Sequence, residues 1–369
     1  MSETIKELKP IQFSNTIGKD FNSTLNKRVR KYFKDNNITK YGNTNMVVKS
    51  IFMLTLYLVP LAFLLSGQIT GFWTVFGLYL IMGFGTAGIG LSIMHDANHG
   101  AYSKNDKINF WMGRTVSLIG GFAVNWKIQH NVLHHTYTNI HGYDEDISPI
   151  NMLRFSPDDT RRPIHKLQYI FAWLLYGLMT FMWLTTKDFK QVLRYKKMNL
   201  TKTVNESFGT IIAELIISKI LYYIIVIVLP MIILAPYIQW YWFLLFIFCM
   251  HFIAGFLFGI IFQSAHVVSE TEFVQPDKES SVENNFAIHQ MQTTANFAPG
   301  SRVFAWLIGG LNYQVEHHLF PTICHIHYKN LSPIVEETAK EFGVPYNTNK
   351  TFFGALRSHG KMLYKLGRE

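Results

Sequence analysis

Imidazole is the side chain in this sequence whose placement could do chemistry. His95 and His99 lie four apart in Met-His-Asp-Ala-Asn-His-Gly. That spacing puts both rings on one helix face, about 6 Å apart, able to ligate one metal or flank a pair. His130, His134 and His135 occupy His-Asn-Val-Leu-His-His. There the first two share a face and His135 points about 100° away, so one helix offers ligands to two metals. His266 ends a long apolar run in Phe-Gln-Ser-Ala-His, and His317 and His318 close Gln-Val-Glu-His-His. Any single one of the fifteen histidines reads as an ordinary surface or packed residue. The set does not, because imidazoles buried without a metal or a partner carry a desolvation cost of several kcal/mol. Eight of them exceed the three or four ligands that zinc takes, which suggests two metals. Neutral imidazole serves iron, zinc and copper alike, so the ligand type does not name the metal. A His-Glu-x-x-His metalloprotease helix is absent from the sequence.

The elements that must position these groups are membrane helices. Hydrophobic residues make up 49% of the chain, aromatics 15% and charged residues only 16%, well under the charged share of soluble chains. Ser50 to Met94 holds no Asp, Glu, Lys or Arg, enough for two passes of about 20 residues with a turn at Ser66-Gly67-Gln68. Ile220 to Ser269 is a second such stretch, with a turn near Ala235-Pro236-Tyr237. Spans are expected at about 47–66, 70–94, 211–234 and 240–262. The apolar segment 168–186 has Arg161, Arg162 and Lys166 before it and Lys187, Lys190, Arg194, Lys196 and Lys197 after it. Positive charge on both flanks fits a segment lying in the interface. Parity agrees: if the histidines on either side meet in one site, an even number of crossings separates them. Residues 108–124 and 303–311 read as shorter interfacial helices. The expected fold is an all-α integral membrane protein of two helical hairpins, with a cytosolic helical cap over the metals. Residues 1–46 form a basic cytosolic segment, 47–345 the membrane domain and 346–369 a cytosolic tail.

The net charge of +10 follows the positive-inside rule. The basic residues flank apolar spans instead of forming one stripe, so no nucleic-acid partner is expected. Two cysteines, Cys249 and Cys324, supply no disulfide framework, and the N-terminus shows no cleavable signal peptide. Gly83-Phe84-Gly85-Thr86-Ala87-Gly88 matches a dinucleotide fingerprint inside a span. With no βαβ unit around them, its glycines are expected to serve close helix packing.

The three boxes His95-x-x-x-His99, His130-x-x-x-His134-His135 and Gln314-x-x-His317-His318 resemble, in order and spacing, those of the membrane fatty acid desaturases. The resemblance covers about 50–345. Gln314, where other branches carry histidine, is similar to the front-end desaturases, which insert a double bond between an existing one and the carboxyl end. The resemblance implies a four-span fold and a non-haem centre of two iron ions using O2. It implies ligand roles for His95, His99, His130, His134, His135, His266, His317 and His318, with Gln314 near the metals as a weak ligand or through water. His289 lies in a family-like stretch without an assigned role. Expected orienting groups for the imidazoles are Asp96, Asp144, Asp146, Asn312 and Glu316. His325 and His327 are expected in the cap, and His141, His165, His251 and His359 as ordinary residues.

The expected activity is therefore desaturation of a fatty acyl chain, carried as acyl-CoA or acyl-lipid. A methylene C–H bond is beyond any side-chain acid or base, so a metal cofactor carries the oxidation. A bent apolar tunnel must fix the reacting carbon, with Phe84, Trp111, Trp126, Phe304 and Trp306 as candidate walls. Front-end relatives often carry a fused cytochrome b5 domain with a His-Pro-Gly-Gly motif that this sequence lacks. A separate ferredoxin, flavodoxin or cytochrome b5, with its reductase, is the expected electron donor. The bacterial inner membrane is the expected location, with the site facing the cytosol. The alternatives are a di-iron hydroxylase acting on an acyl or alkyl chain and, from another class, a metal transporter or haem-binding membrane protein. Histidines at span ends, not at the midplane, argue against transport.

Overall fold

A computed structural model describes residues 9–148 and 152–369. Four of its helices are long and apolar enough to cross a membrane: α2 (Thr44–Ser66), α3 (Phe72–Asn98), α8 (Phe208–Leu234) and α9 (Trp240–His266). They match the expected spans, with α3 and α9 each running four residues further, into the histidine motifs. Before them lies α1 (Lys19–Asp35). Between α3 and α8 come α4 (Asp106–Gly113) and α5 (Ala123–Trp126), which continues as the π-helical Lys127–His134. The segment expected to lie in the interface is two helices, α6 (Pro163–Gly177) and α7 (Met179–Lys197), bent 55° at their junction. After α9 the chain forms the short helices α10 (Phe286–Thr293), α11 (Arg302–Leu307) and α12 (Gln314–Leu319), then α13 (Tyr328–Phe342) and α14 (Phe352–Leu366). Two parallel strand pairs tie the ends to this cap. β1 (Gln12–Phe13) pairs with β2 (Ser281–Val282), and β3 (Asn296–Phe297) pairs with β4 (Thr348–Asn349).

The glycines of the false nucleotide motif act as helix contacts. A Cβ at Gly83 would stand 2.8 Å from the Met250 carbonyl of α9, and one at Gly85 would stand 2.7 Å from the Tyr57 nitrogen of α2. Spans α2, α3 and α9 therefore pack backbone to backbone, the close approach that small residues allow. Charges near α8 are paired: Arg114 donates to Glu214 at 2.8 Å, and Lys219 donates to Asp188 and to the carbonyls of Gly120 and Trp183. The second set holds α7 against α8, because an unpaired ammonium would be costly there.

Residues 346–369, expected as a tail, contribute β4 and α14, whose Ala355, Leu363 and Leu366 are buried against α6 and α9. In α14 these residues repeat at helical spacing, a short amphipathic stripe. At the other end, α1 buries Phe21, Leu25 and Val29 in one apolar cluster with Leu331 and Val335 of α13.

Candidate metal centre

Two segments with widened backbone geometry and one short α-helix aim the imidazoles. Ile89–Met94 within α3 is π-helical and delivers His95 and His99 to the end of the span. Lys127–His134 is π-helical as well, and the His135 N–H donates to the carbonyl of His130, five residues back, at 2.9 Å. Regular α-helical spacing would turn His135 about 100° from its neighbour. The wider turn brings residues five apart together, so His130 Nε2 and His135 Nε2 stand 3.2 Å apart. Such π-turns are frequent at functional sites. Residues 314–319 form a six-residue helix carrying His317 and His318.

The eight expected ligands converge. Ligand atoms of His95, His99, His130 and His317 lie within 4.8 Å of one another, as do those of His134, His266 and His318, and those of His135, His317 and His318. The third group, through His317 and His318, overlaps each of the other two. Among the described residues His289 joins no such group, although it is fully buried with its ring 5.1 Å from Phe13. Gln314 is buried beside His95, His130 and His317 along one cavity wall, and its Oε1 has no protein partner.

The partners of the outer nitrogens decide what the inner ones can do. His134 Nδ1 lies 3.0 Å from both oxygens of Asp144, and His130 Nδ1 lies 3.2 Å from Asp146. His318 Nδ1 lies 2.8 Å from Gln290 Oε1, whose amide nitrogen donates to the His135 carbonyl at 3.1 Å. His317 Nδ1 lies 3.2 Å from the Tyr328 hydroxyl. Carboxylates and an amide oxygen accept only, so the Nδ1 atoms of His130, His134 and His318 carry protons and their Nε2 atoms carry lone pairs. Yet His134 Nε2 and His318 Nε2 face each other at 3.3 Å. Lone pair against lone pair is repulsive unless a cation lies between. Two nitrogens each about 2.1 Å from one ion stand about 3 Å apart at a right angle. His95 Nδ1, His99 Nε2, His135 Nδ1 and both nitrogens of His266 have no hydrogen-bond partner, so the donor set fits a metal pair.

Electrostatics keep most of these rings neutral. Burial lowers His99, His135, His317 and His318 well below the ordinary 6.5, and His130 to about 3. At His134 burial acts the same way, but the Asp144 carboxylate outweighs it and raises the ring's proton affinity. The Asp146 carboxyl, despite its burial, is held below its usual range by His130, His134 and Gln129. Unfolding frees these five imidazoles to bind protons below pH 6.5, where the folded form refuses them; the raised His134 opposes this, as does His141 bonded to Asp159. Stability of the metal-free protein should therefore fall as pH drops from 6.5. A lower thermal-unfolding midpoint at pH 5.5 than at pH 7.5 is expected in detergent, and an unchanged midpoint would contradict the burial argument.

Of the expected orienting groups, Asp144 and Asp146 contact imidazoles directly. Asp96 lies 3.7 Å from His95 Nδ1 but bonds more closely to His325, at 2.8 Å to Nδ1 and 3.1 Å from the backbone N–H. Glu316 points away from the cluster: it accepts from Asn296 and Tyr346 at 2.8 Å, and burial raises its pKa to about 7. Asn312 donates to the Ala298 carbonyl. These two brace the cap, not the imidazoles. Gln290 and Tyr328 do the orienting instead, and neither belongs to a histidine box.

Of the remaining histidines, His289 has no hydrogen-bond partner at either ring nitrogen among the described residues, whereas the others are bonded. His251 bonds the Tyr222 hydroxyl at 2.7 Å, His359 bonds Tyr176 and the Val267 carbonyl, His141 pairs with Asp159, and His165 accepts from the Arg162 N–H. His327 faces the Tyr41 carbonyl.

A cavity of about 580 Å³ opens beside the cluster, lined by His95, His130, Gln314 and His317. Helix α7 lays one stripe along it, from Met179, Met182 and Trp183 to Lys187, Lys190, Gln191 and Arg194, about 22 Å at helical rise. Gln191 donates to Gln129 at 2.6 Å, and Gln129 is the immediate neighbour of His130. The imidazoles therefore stand level with the polar end, while Leu91, Phe155, Tyr176 and Phe258 line the apolar remainder. Of the aromatic walls expected from sequence, Trp126 lines this cavity. Phe304 packs on Phe352, Trp306 donates to Asn45, and Phe84 and Trp111 are 53% and 69% exposed.

Comparison with known proteins agrees with this architecture. Residues 71–350 match the fatty acid desaturase family. The chain is 34% identical to the sn-1 linoleoyl-lipid 6-desaturase of Arthrospira platensis, covering 96% of this chain and 94% of the relative. The enzyme of the same name from Synechocystis sp. is also 34% identical, over 97% and 98% of the two chains. The acyl-lipid (8-3)-desaturase of Physcomitrium patens is 34% identical over 97% of this chain and 74% of its own. With buried histidine clusters at the ends of apolar helices and a match across most of its length, this chain belongs to the fatty acid desaturase family and is an oxidoreductase of lipid metabolism.

Proposed function

We propose that this enzyme inserts a double bond into a lipid-bound acyl chain on the carboxyl side of an existing one, Δ6 being the position named for two of its relatives. The observation that carries the reading is the level of the imidazoles in the cavity. A chain whose head rests among Lys187, Lys190 and Arg194 would enter beside Gln191, whose bond to Gln129 lies next to His130. The longer methyl end then fills the apolar part between α3, α7 and α9, where Leu91, Met179 and Phe258 exclude water.

His95, His99, His130, His134, His135, His266, His317 and His318 would hold two iron ions, with Gln314 beside them. When bound, iron supplies the activation of O2 that lets two hydrogens leave adjacent methylenes. Asp144, Asp146 and Gln290 hold the Nδ1 protons of His134, His130 and His318, which keeps their Nε2 lone pairs turned inward, and Tyr328 positions His317 through its Nδ1. Electrons come from a separate ferredoxin, flavodoxin or cytochrome b5 with its reductase. The basic flanks of α6 and α7 support a cytosolic site, on the inner membrane of a bacterium.

Iron-loaded protein in bilayers should be supplied with linoleoyl glycerolipid or, separately, linoleoyl-CoA, and the products' double bonds located by gas chromatography–mass spectrometry. The expected product is a triene from the glycerolipid, with its new bond nearest the carboxyl group. A hydroxylated chain, or a new bond on the methyl side, would contradict the proposal.

A further inference from the structure

The electron donor must meet this protein at some surface, and one surface combines charge with a route inward. Helix α1 exposes Lys27, Arg30, Lys31 and Lys34, positions that fall on one helix face. Lys31 pairs with Asp35 at 3.4 Å, whereas the other three have no ion-pair partner among the described residues. The opposite face of α1 is seated on α13, and Asn330 donates to the Tyr32 hydroxyl at 3.1 Å. Lys40, near Thr322, and the exposed Lys329 extend the cationic patch around this junction. The exposed acids of α13, Glu336, Glu337 and Glu341, lie two or more turns further along, and Glu341 is paired with Arg28.

Rings lead from that patch to the histidines. Tyr32 and Phe33, both partly exposed, have ring centroids 5.2 Å apart. Phe33 is 5.2 Å from the ring of His327. His327 is bonded through the backbone to Tyr328, whose hydroxyl is 3.2 Å from His317 Nδ1. Electronic coupling decays far more slowly through bonds, hydrogen bonds and packed rings than through gaps. This continuous path is therefore a favourable one for tunnelling.

We propose that the α1–α13 junction, centred on Arg30, Lys34 and Lys329, docks an acidic one-electron carrier protein, and that electrons pass from it through Phe33, His327 and Tyr328 to His317. This rests on the iron-dependent reading above. Each encounter oxidises one carrier and adds one electron to the metal pair, so two encounters supply the two electrons of one turnover. Opposite charge steers such encounters and makes them sensitive to salt.

The test measures affinity, which does not require turnover. Iron-loaded protein in zwitterionic nanodiscs would be titrated with reduced plant-type ferredoxin and, separately, soluble cytochrome b5, at low and high salt. The R30E/K34E/K329E variant is expected to bind the carrier about tenfold or more weakly at low salt and to lose most of the salt dependence. A comparison variant, K197E/K202E, reverses two exposed charges elsewhere and should bind as wild type does. In stopped flow, Phe33→Leu should slow oxidation of the bound carrier at least severalfold while affinity holds. The proposal is overturned if neither carrier binds the intact protein, if the triple reversal binds normally, or if the K197E/K202E variant loses affinity equally. Failure of the desaturase reading is separate: it would show as normal docking and carrier oxidation with no double bond formed.

Discussion

Replacing His317 with alanine should cost this enzyme both metal and turnover, with desaturation falling by more than a hundredfold. A lost outer partner of a metal ligand typically costs 10–100-fold; a shared inner one should cost more. His317 belongs to two of the three nitrogen groups, one with His95, His99 and His130 and the other with His135 and His318. Its Nε2 is 2.9 Å from that of His135. Alanine opens both groups at once, and the remaining imidazoles lose the cation that offsets their mutual repulsion. His289→Ala is the informative contrast. His289 is as deeply buried, but stands against Phe13 outside the nitrogen groups. That variant should lose packing stability and keep its iron. Metal analysis of the two purified variants distinguishes the roles; equal iron retention in both would remove His317 from the ligand set.

The second large effect is expected at Asp144. This fully buried carboxylate accepts from His134 Nδ1 at 3.0 Å and from the backbone N–H groups of Asn139 and Asp146 at 2.9 Å. Asparagine preserves its shape but replaces one oxygen with an NH2 group, which must face a donor. Removing one member of a buried charged pair costs about 3–5 kcal/mol, and the freed imidazole loses its preferred tautomer. Asp144→Asn should therefore lower the thermal-unfolding midpoint of the metal-free protein and reduce iron affinity about 10–100-fold. Asp146→Asn, at a site that is partly open to the cavity, should lose less stability. If Asp144→Asn unfolds and binds iron as wild type does, the carboxylate is not orienting His134.

How much of this could be read beforehand follows the range of the interactions. The spans were legible because forty-five consecutive uncharged residues have few physical solutions in a chain of this kind. The histidine boxes were legible because spacing on a helix is local geometry. His135 shows the limit: its direction depends on a π-turn, which residue type alone does not announce. Gln290 and Tyr328 were out of reach for another reason. Each meets its imidazole across the fold, at separations of 28 and 11 residues, and an amide or a phenol carries no metal signature of its own. Glu316 sits next to His317 in sequence, but adjacent residues on a helix point in different directions, and it turned to Asn296 and Tyr346 instead. The same long-range packing makes α14 part of the core, although the polar run before it resembled the start of a tail.

The most direct test of the account is the fatty acid profile of cells expressing this chain beside cells expressing His317→Ala. Both would be fed linoleate and supplied with a ferredoxin and its reductase. A new polyunsaturated fatty acid should accumulate only with the intact chain, its added double bond on the carboxyl side of those already present. The same profile in both strains, with the intact protein folded and iron-loaded, would contradict the claim that this histidine cluster desaturates acyl chains.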